Sequence, residues 1–217
     1  MQEDCKGFVT FIDILGIKAA MEEKTCEEMA EMYRIVQRCL DPLIGVDPDN
    51  RKLYGISDSI FYVERALDES DDAWLEQLRV LLMSLSRAMI RLLNWGITIR
   101  GGITYGTVHI PESPRGFLFG PALVDIVDIE RVLGVPSLGI ERELWEKLQQ
   151  LDSAGLPQFI CPCETGSLLS SNCLRPFCAV ESGDYEALDR ALSKNEGRED
   201  AVGEKYRWLR AQLAQQQ

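Results

Sequence analysis

The chain opens on a nearly continuous apolar run, Gly7-Phe8-Val9-Thr10-Phe11-Ile12-Asp13, made of strand formers and closed by a carboxylate. Such a run predicts a buried central strand over residues 7–13. Gly16 marks a short turn, and residues 17–41 then read as helical. Met29, Met32, Ile35, Val36 and Leu40 recur at helical spacing, and Asp41-Pro42 predicts where that helix ends. Residues 43–50 are loop-like, with Asp47-Pro48-Asp49-Asn50 as the turn signal. Residues 52–63 read as two short strands around a tight turn near Ser57-Asp58, which sets Asp58 at a hairpin tip. The clearest helical period lies over residues 72–95, where Trp74, Leu78, Leu81, Leu82, Leu85, Met89 and Leu92 share one stripe and Gly96 supplies the stop. Residues 97–110 predict a further strand, interrupted by Gly101, Gly102 and Gly106, and residues 120–133 a helix with Pro121 in its first turn.

Strand, helix, hairpin, helix, strand, helix is the order of a split βαβ plan. It predicts an α+β fold with helices packed on one face of an antiparallel sheet. Past residue 150 the periodicity weakens. Residues 157–161 and 174–180 read as edge strands, and 186–192 and 201–213 as surface helices. The expected organisation is a core over 1–150, with 151–217 completing the same domain. At 217 residues and 46% hydrophobic, the chain holds enough apolar material for one such core.

Composition narrows the chemistry. No stretch approaches the roughly 20 apolar residues of a membrane span, and the acidic start lacks the pattern of a signal peptide, so a cytoplasmic protein is expected. Seven scattered cysteines fit that compartment better than a disulfide framework. Cys161, Cys163, Cys173 and Cys178 have C-x-C and C-x4-C spacings rather than paired zinc knuckles, and read as buried small hydrophobes. A formal charge of −12 argues against binding nucleic acid, which needs a basic face. If the substrate is a polyphosphate, bound cations must invert the local field, and that requires clustered carboxylates.

His109 is the only histidine, so Ser-His-Asp triads, Cys-His pairs and histidine zinc sites are excluded as readings. Phosphate-binding Gly-x4-Gly-Lys and dinucleotide Gly-x-Gly-x-x-Gly loops are absent. Carboxylate chemistry remains. Asp13 ends the buried strand, and Asp58 sits at a hairpin tip that the topology sets beside it. Two ionised carboxylates held together repel, a divalent cation removes that cost, and two cations about 3.5–4 Å apart make a phosphoryl-transfer site. The strand-to-helix turn Ile14-Leu15-Gly16-Ile17-Lys18 offers backbone N–H groups to phosphate oxygens. The plainer alternative leaves Asp13 as a helix cap and Asp58 as a turn residue.

Four segments, in order, carry a resemblance that covers residues 7–133. Phe11-Ile12-Asp13-Ile14-Leu15-Gly16 resembles the first metal motif of the class III adenylate and guanylate cyclases, Phe-x-Asp-x-x-Gly. Tyr54-Gly55-Ile56-Ser57-Asp58 resembles their second, Lys-x-x-Gly-Asp. Arg100-Gly101-Gly102-Ile103 with Gly106 resembles the next strand, and Phe119-Gly120-Pro121 through Glu130 the helix after it. The departures are specific. Tyr54 stands where purine cyclases have the base-reading lysine, Phe117 where adenylate cyclases have its partner aspartate, and Val124 and Asp128 where the family has its asparagine and arginine. This combination is similar to the pyrimidine cyclases of Pycsar antiphage systems.

The resemblance implies a ferredoxin-like class III cyclase fold and a homodimer with active sites at the interface. It also implies UTP, or secondarily CTP, as substrate, and a cyclic pyrimidine monophosphate that signals to a separate effector in antiphage defence. On it rest Asp13, Asp58 and the Ile14 carbonyl as ligands of two Mg²⁺ or Mn²⁺ ions, with Asp13 and Asp58 catalytic. Phe11, Leu15, Gly16, Ile17, Tyr54 and Arg100 are the expected substrate contacts, with Tyr54 selecting the base. Lys18 and Arg115 are further candidates for the triphosphate, and Arg175 for the missing arginine. The competing reading is a catalytically silent cyclase-like domain that binds nucleotide or regulates a partner.

Overall fold

The first apolar run forms β1 (Asp4–Ile14), which lies inside the sheet between two antiparallel neighbours, β3 (Ser59–Arg65) and β4 (Ile99–His109). The structure is a computed structural model that describes residues 4–45, 47–68, 70–111, 117–151, 155–163, 172–180, 185–196 and 200–216. Its sheet has the order β2-β3-β1-β4-β5-β7-β6, with β2 (Arg51–Ile56), β5 (Leu138–Ile140), β6 (Ile160–Pro162) and β7 (Asn172–Leu174) completing it. The mixed α+β class expected from the element order is what forms.

Two details of the expected sheet are corrected. Helices cover both faces, and one strand pair is parallel. Phe8, Ile12 and Ile14 of β1 pack under α2 (Cys26–Ile44), α3 (Asp71–Asn94) and α5 (Arg142–Leu151). Val9 and Phe11, on the opposite face, pack under Ala122 and Ile126 of α4 (Pro121–Val132). A strand apolar on both sides cannot leave one side wet. The same helix α4 carries the chain from β4 to β5 as a crossover, and β5 therefore runs parallel to β4, Gly102 beside Gly139. Neither β5 nor α5 was anticipated from the sequence.

The helix expected over 17–41 is two helices. α1 (Ile17–Glu23) stops at an extended Lys24, and Thr25 caps α2. The Glu28 N–H donates to the Thr25 hydroxyl (3.3 Å) and the Thr25 N–H donates to the Glu28 carboxylate (2.8 Å), a reciprocal box that stabilises the start by about 1 kcal/mol. Nor does Asp41-Pro42 end the helix. Pro42 sits in the last turn, where it removes only one hydrogen bond, and buried Leu43 holds the chain in place until Gly45 (φ +50°).

Toward the C-terminus, the strand expected at 157–161 is a 3₁₀ turn, Leu156–Phe159, followed by β6. The strand expected at 174–180 ends at Leu174, after which the Cys178 N–H closes a turn on the Arg175 carbonyl (3.3 Å). The two helices do form, as α6 (Tyr185–Glu196) and α7 (Ala201–Ala214), but they are not merely superficial. Leu188, Leu192, Tyr206, Leu209 and Leu213 close with Ile90, Leu93 and Phe177 over a second small core. Among the described residues no helix is long and apolar enough to cross a membrane.

Candidate active site

The sheet register assembles the site. Residues directly opposite each other across antiparallel strands put their side chains on the same face. Asp13 stands opposite Arg100 on β4 and opposite Ser59 on β3, and Ser59 in turn opposite Ile56 on β2. One pleat back, roughly 7 Å along the strand, the row runs Gly102, Phe11, Phe61 and Tyr54. The carboxylate and guanidinium thus lie at the open end of a face whose next layer is aromatic. α4 lies close over Gly102, where a Cβ would meet Ile126 and Ile129 at 3.0 and 3.1 Å.

The hairpin delivers Asp58 to this end. Its base is held by the buried Glu64 carboxylate, which accepts from Arg51 (3.0 Å) and from the Tyr62 hydroxyl (2.6 Å). At the tip, Ser57 adopts φ +59°, a conformation that costs a non-glycine residue about 1–3 kcal/mol. The Ile14 N–H donates to the Asp58 carbonyl (3.1 Å), and the Leu15 N–H to the Thr98 carbonyl (2.9 Å). The exit of β1 is therefore clamped from both sides, with Asp13 and Asp58 on adjoining turns.

Charges crowd there. Arg100 Nε donates to Asp13 (3.2 Å) and also sits 2.5 Å from Glu130 Oε1 of α4. Its N–H is directed at Asp13, so the buried Glu130 Oε1 is in ion contact but receives no hydrogen bond. Burial pushes the Asp13 carboxyl above its ordinary range, against the pull of Arg100, and the Asp58 charge adds to the rise. Burial likewise raises Glu130, again opposed by Arg100. Lys205 of α7 completes the group at longer range. Three carboxylates thus face two cations, with Arg100 held between Asp13 and Glu130.

This set fits a divalent cation. Among the described residues no three acidic, histidine or cysteine side chains close around a metal position. The donors at hand are two carboxylates and a strand-end carbonyl. An open set of this kind suits Mg²⁺-type ions, which bind through one or two carboxylates and complete their shell with substrate phosphates and water. The repulsion between Asp13 and Asp58 is relieved by added positive charge.

The other expected residues fall into place unevenly. Tyr54 is half-buried beside Phe11 and Phe61, and burial raises its phenol pKa. Phe11, 6% exposed, is packed against Phe61 (ring centroids 4.9 Å apart) in the same apolar layer as Tyr54. Leu15 has committed its N–H to Thr98, and among the described residues the amides of Gly16 (φ +82°), Ile17, Lys18 and Ala19 have no backbone acceptor ahead of the first helical bond, Ala20 N–H to the Gly16 carbonyl. Lys18 is exposed, and Arg115 lies outside the described residues. Arg175 is corrected as a candidate. It is on the β7 side of the sheet, donating to the Ile160 carbonyl (3.4 Å) and separated from β1 by β4 and β5. Cys161 and Cys173 oppose each other across β6 and β7 with sulfurs 3.6 Å apart, equally remote from Asp13.

Two residues gained a place that sequence reasoning did not give them. Glu130 continues the buried stripe Ala122, Ile126, Ile129 of α4, and a carboxylate on an apolar stripe is a legible signal. Lys205 had none.

The fold has known relatives. A rhodopsin-guanylyl cyclase catalytic core with converted specificity, in complex with ATPαS, superposes with a TM-score of 0.53 at 13% identity, covering 78% of this chain and 94% of that one. The adenylyl cyclase CyaB from P. aeruginosa gives 0.51 at 12% identity over 83% and 96% of the two chains. The adenylate/guanylate cyclase/hydrolase from Silicibacter pomeroyi gives 0.51 at 14% identity over 79% and 95%. No family model and no curated protein matches the sequence. At such identities the likeness establishes the fold, that of nucleotidyl cyclase catalytic domains.

Proposed function

We propose that this chain is a nucleotidyl cyclase that closes a pyrimidine nucleoside triphosphate, UTP before CTP, into its 3′,5′-cyclic monophosphate. The observation that carries the reading is the pair Asp13 and Asp58, brought to one end of a cyclase-type sheet by the strand register and by the Ile14 N–H bond to the Asp58 carbonyl. Asp13, Asp58 and the Ile14 carbonyl would hold two Mg²⁺ or Mn²⁺ ions, which supply Lewis-acid activation of the ribose hydroxyl and charge for the departing diphosphate. The ribose 3′-oxygen attacks the α-phosphorus, the bond to the bridging oxygen of diphosphate breaks, and diphosphate and the hydroxyl proton are released. The chain's own work is positioning. The Gly16 and Ile17 amides take phosphate oxygens, and Arg100 lies against the reacting end.

The exposed apolar residues Ile56 (70% exposed) and Val124 (66%), on the face that carries Asp13, support a homodimer closed over the two sites. The similarity of the motifs to the Pycsar cyclases supports a signalling role in antiphage defence, with the cyclic product acting on a separate effector.

Purified protein incubated with Mn²⁺ and ATP, GTP, CTP or UTP separately should yield one cyclic pyrimidine monophosphate by mass spectrometry. A purine product would overturn the base assignment. Nucleotide binding without product from any of the four would favour the silent-domain reading. That reading draws on two features of α4: Val124 is apolar, and Asp128 is spent on Arg131 (3.1 Å).

Base selection is assigned to Tyr54. Tyr54→Phe retains the ring that packs on Phe61 and removes only the hydroxyl. We expect discrimination of pyrimidine over purine, as a ratio of kcat/KM values, to fall about tenfold, the worth of roughly one hydrogen bond. An unchanged ratio would leave Tyr54 a packing residue.

A further inference from the structure

α7 places Lys205 over the exit of β1. Val202, Tyr206, Leu209 and Leu213 anchor this helix on the second core, and the Tyr206 hydroxyl donates to the Gly96 carbonyl (3.3 Å). Two residues further on, Thr98 accepts the Leu15 N–H (2.9 Å). The helix and the turn after β1 are thereby tied to the same short segment. Lys205 lies one turn from Val202 and Leu209 at helical spacing. Its side chain lines a cavity of about 790 Å³ together with Leu15, Gly16 and Ile17.

The amine is half-buried and, among the described residues, makes neither a hydrogen bond nor an ion pair. Of the three acids that line the same cavity, Glu28 is bonded to Thr25 and Glu31 is paired with Arg34 and Arg38, while Glu23 has Lys24 as its neighbour in the chain on the α1 wall. Asp13, which attracts the ammonium, is already bonded to Arg100, which repels it. Burial and Arg100 together push the Lys205 pKa below its ordinary value, with Asp13 opposing the fall, and the wall that Lys205 shares with Leu15, Gly16 and Ile17 holds no carboxylate bonded to it. A mobile anion there would supply the counter-charge.

We propose that Lys205 binds the polyphosphate of the substrate, a cation delivered by the C-terminal helix to the turn after β1. An ammonium on a flexible stem suits this role, acting as a point charge on phosphate oxygens without demanding a fixed fork geometry. The anionic character of the ligand follows from the one wall of the cavity where Lys205 stands beside the Gly16 and Ile17 amides. Its identity as a nucleoside triphosphate rests on the cyclase reading above.

The test separates the two. Inorganic tripolyphosphate, with Mn²⁺ present, is titrated calorimetrically into the wild-type chain, K205A, K205R and the exposed-surface control K194A, and turnover of each nucleoside triphosphate is measured in parallel. K205A should bind tripolyphosphate about 10–100-fold more weakly, the effect of one lost charged hydrogen bond. K205R should stay close to wild type, K194A should match it, and the thermal midpoint of K205A should not fall. Undiminished binding in K205A, or an equal loss in K194A, overturns the inference, as does a wild-type chain that binds no tripolyphosphate. If wild type binds it through Lys205 yet cyclises nothing, the cyclase reading falls and this inference stands. If wild type cyclises a nucleotide and K205A does so equally well, the reverse holds.

Discussion

Asp13→Ala and Asp58→Ala should each reduce cyclic-nucleotide formation by at least about 10³-fold, a loss of about 4 kcal/mol of transition-state stabilisation, while leaving a folded chain. The reasoning runs from charge. Asp13 is held above its ordinary pKa by burial, with Asp58 adding repulsion, so its ionised form is a burden on the fold unless a cation answers it. Removing either carboxylate relieves that repulsion. Arg100 keeps Glu130 as a partner when Asp13 is gone. Thermal midpoints in metal-free buffer should therefore match or exceed the wild-type value. Adding Mn²⁺ should raise the midpoint of the wild-type chain and leave both variants nearly unmoved, since only a bound ligand stabilises through mass action. Near-normal turnover in either variant would sink the two-carboxylate assignment, and so would an equal Mn²⁺ response in all three proteins.

Gly101→Ala should be the most damaging small substitution in the sheet. A Cβ at this position would lie 1.8 Å from the Phe11 carbonyl oxygen and 3.1 Å from Leu138. Both obstacles are fixed, one as backbone of β1 and the other as a buried side chain of β5. The β1–β4 ladder must then separate where Asp13 meets Arg100. The expected cost is about 3 kcal/mol or more, which for a chain of this size lowers the melting temperature by roughly 6–12 °C. Gly134→Ala is the contrast, because its Cβ would meet nothing within 4 Å and should change stability by less than about 0.5 kcal/mol. Urea titrations of the two variants decide the matter. Equal stabilities would mean that Gly101 does not lie against Phe11 as the register requires.

Much of the site was legible because it is local. A strand former run closed by Asp13 and a tight turn carrying Asp58 are patterns in contiguous residues, set by alternation and turn chemistry. The capping box at Thr25 and Glu28 is equally local, an S/T-x-x-E signature that divides the helical stretch into α1 and α2. Arg100 could be named as a candidate, but its bond to Asp13 connects residues 87 apart and depends on the β1–β4 register.

The sequence by itself determined the element types that repeat a clear period, the α+β class that follows from their order, and the two carboxylates at strand and hairpin ends. Hydrophobic spacing and turn propensity act over a few residues, so they can be read without knowing what lies opposite. Only the tertiary structure decided that α4 covers the second face of the sheet, that β5 runs parallel to β4, that Glu130 shares Arg100 with Asp13, and that Lys205 of the last helix overlooks the turn after β1. Those outcomes depend on which surfaces meet when the apolar faces are buried together. No single segment carries that information, because burial belongs to pairs of surfaces and a charge acquires its partner only after the chain has closed around it.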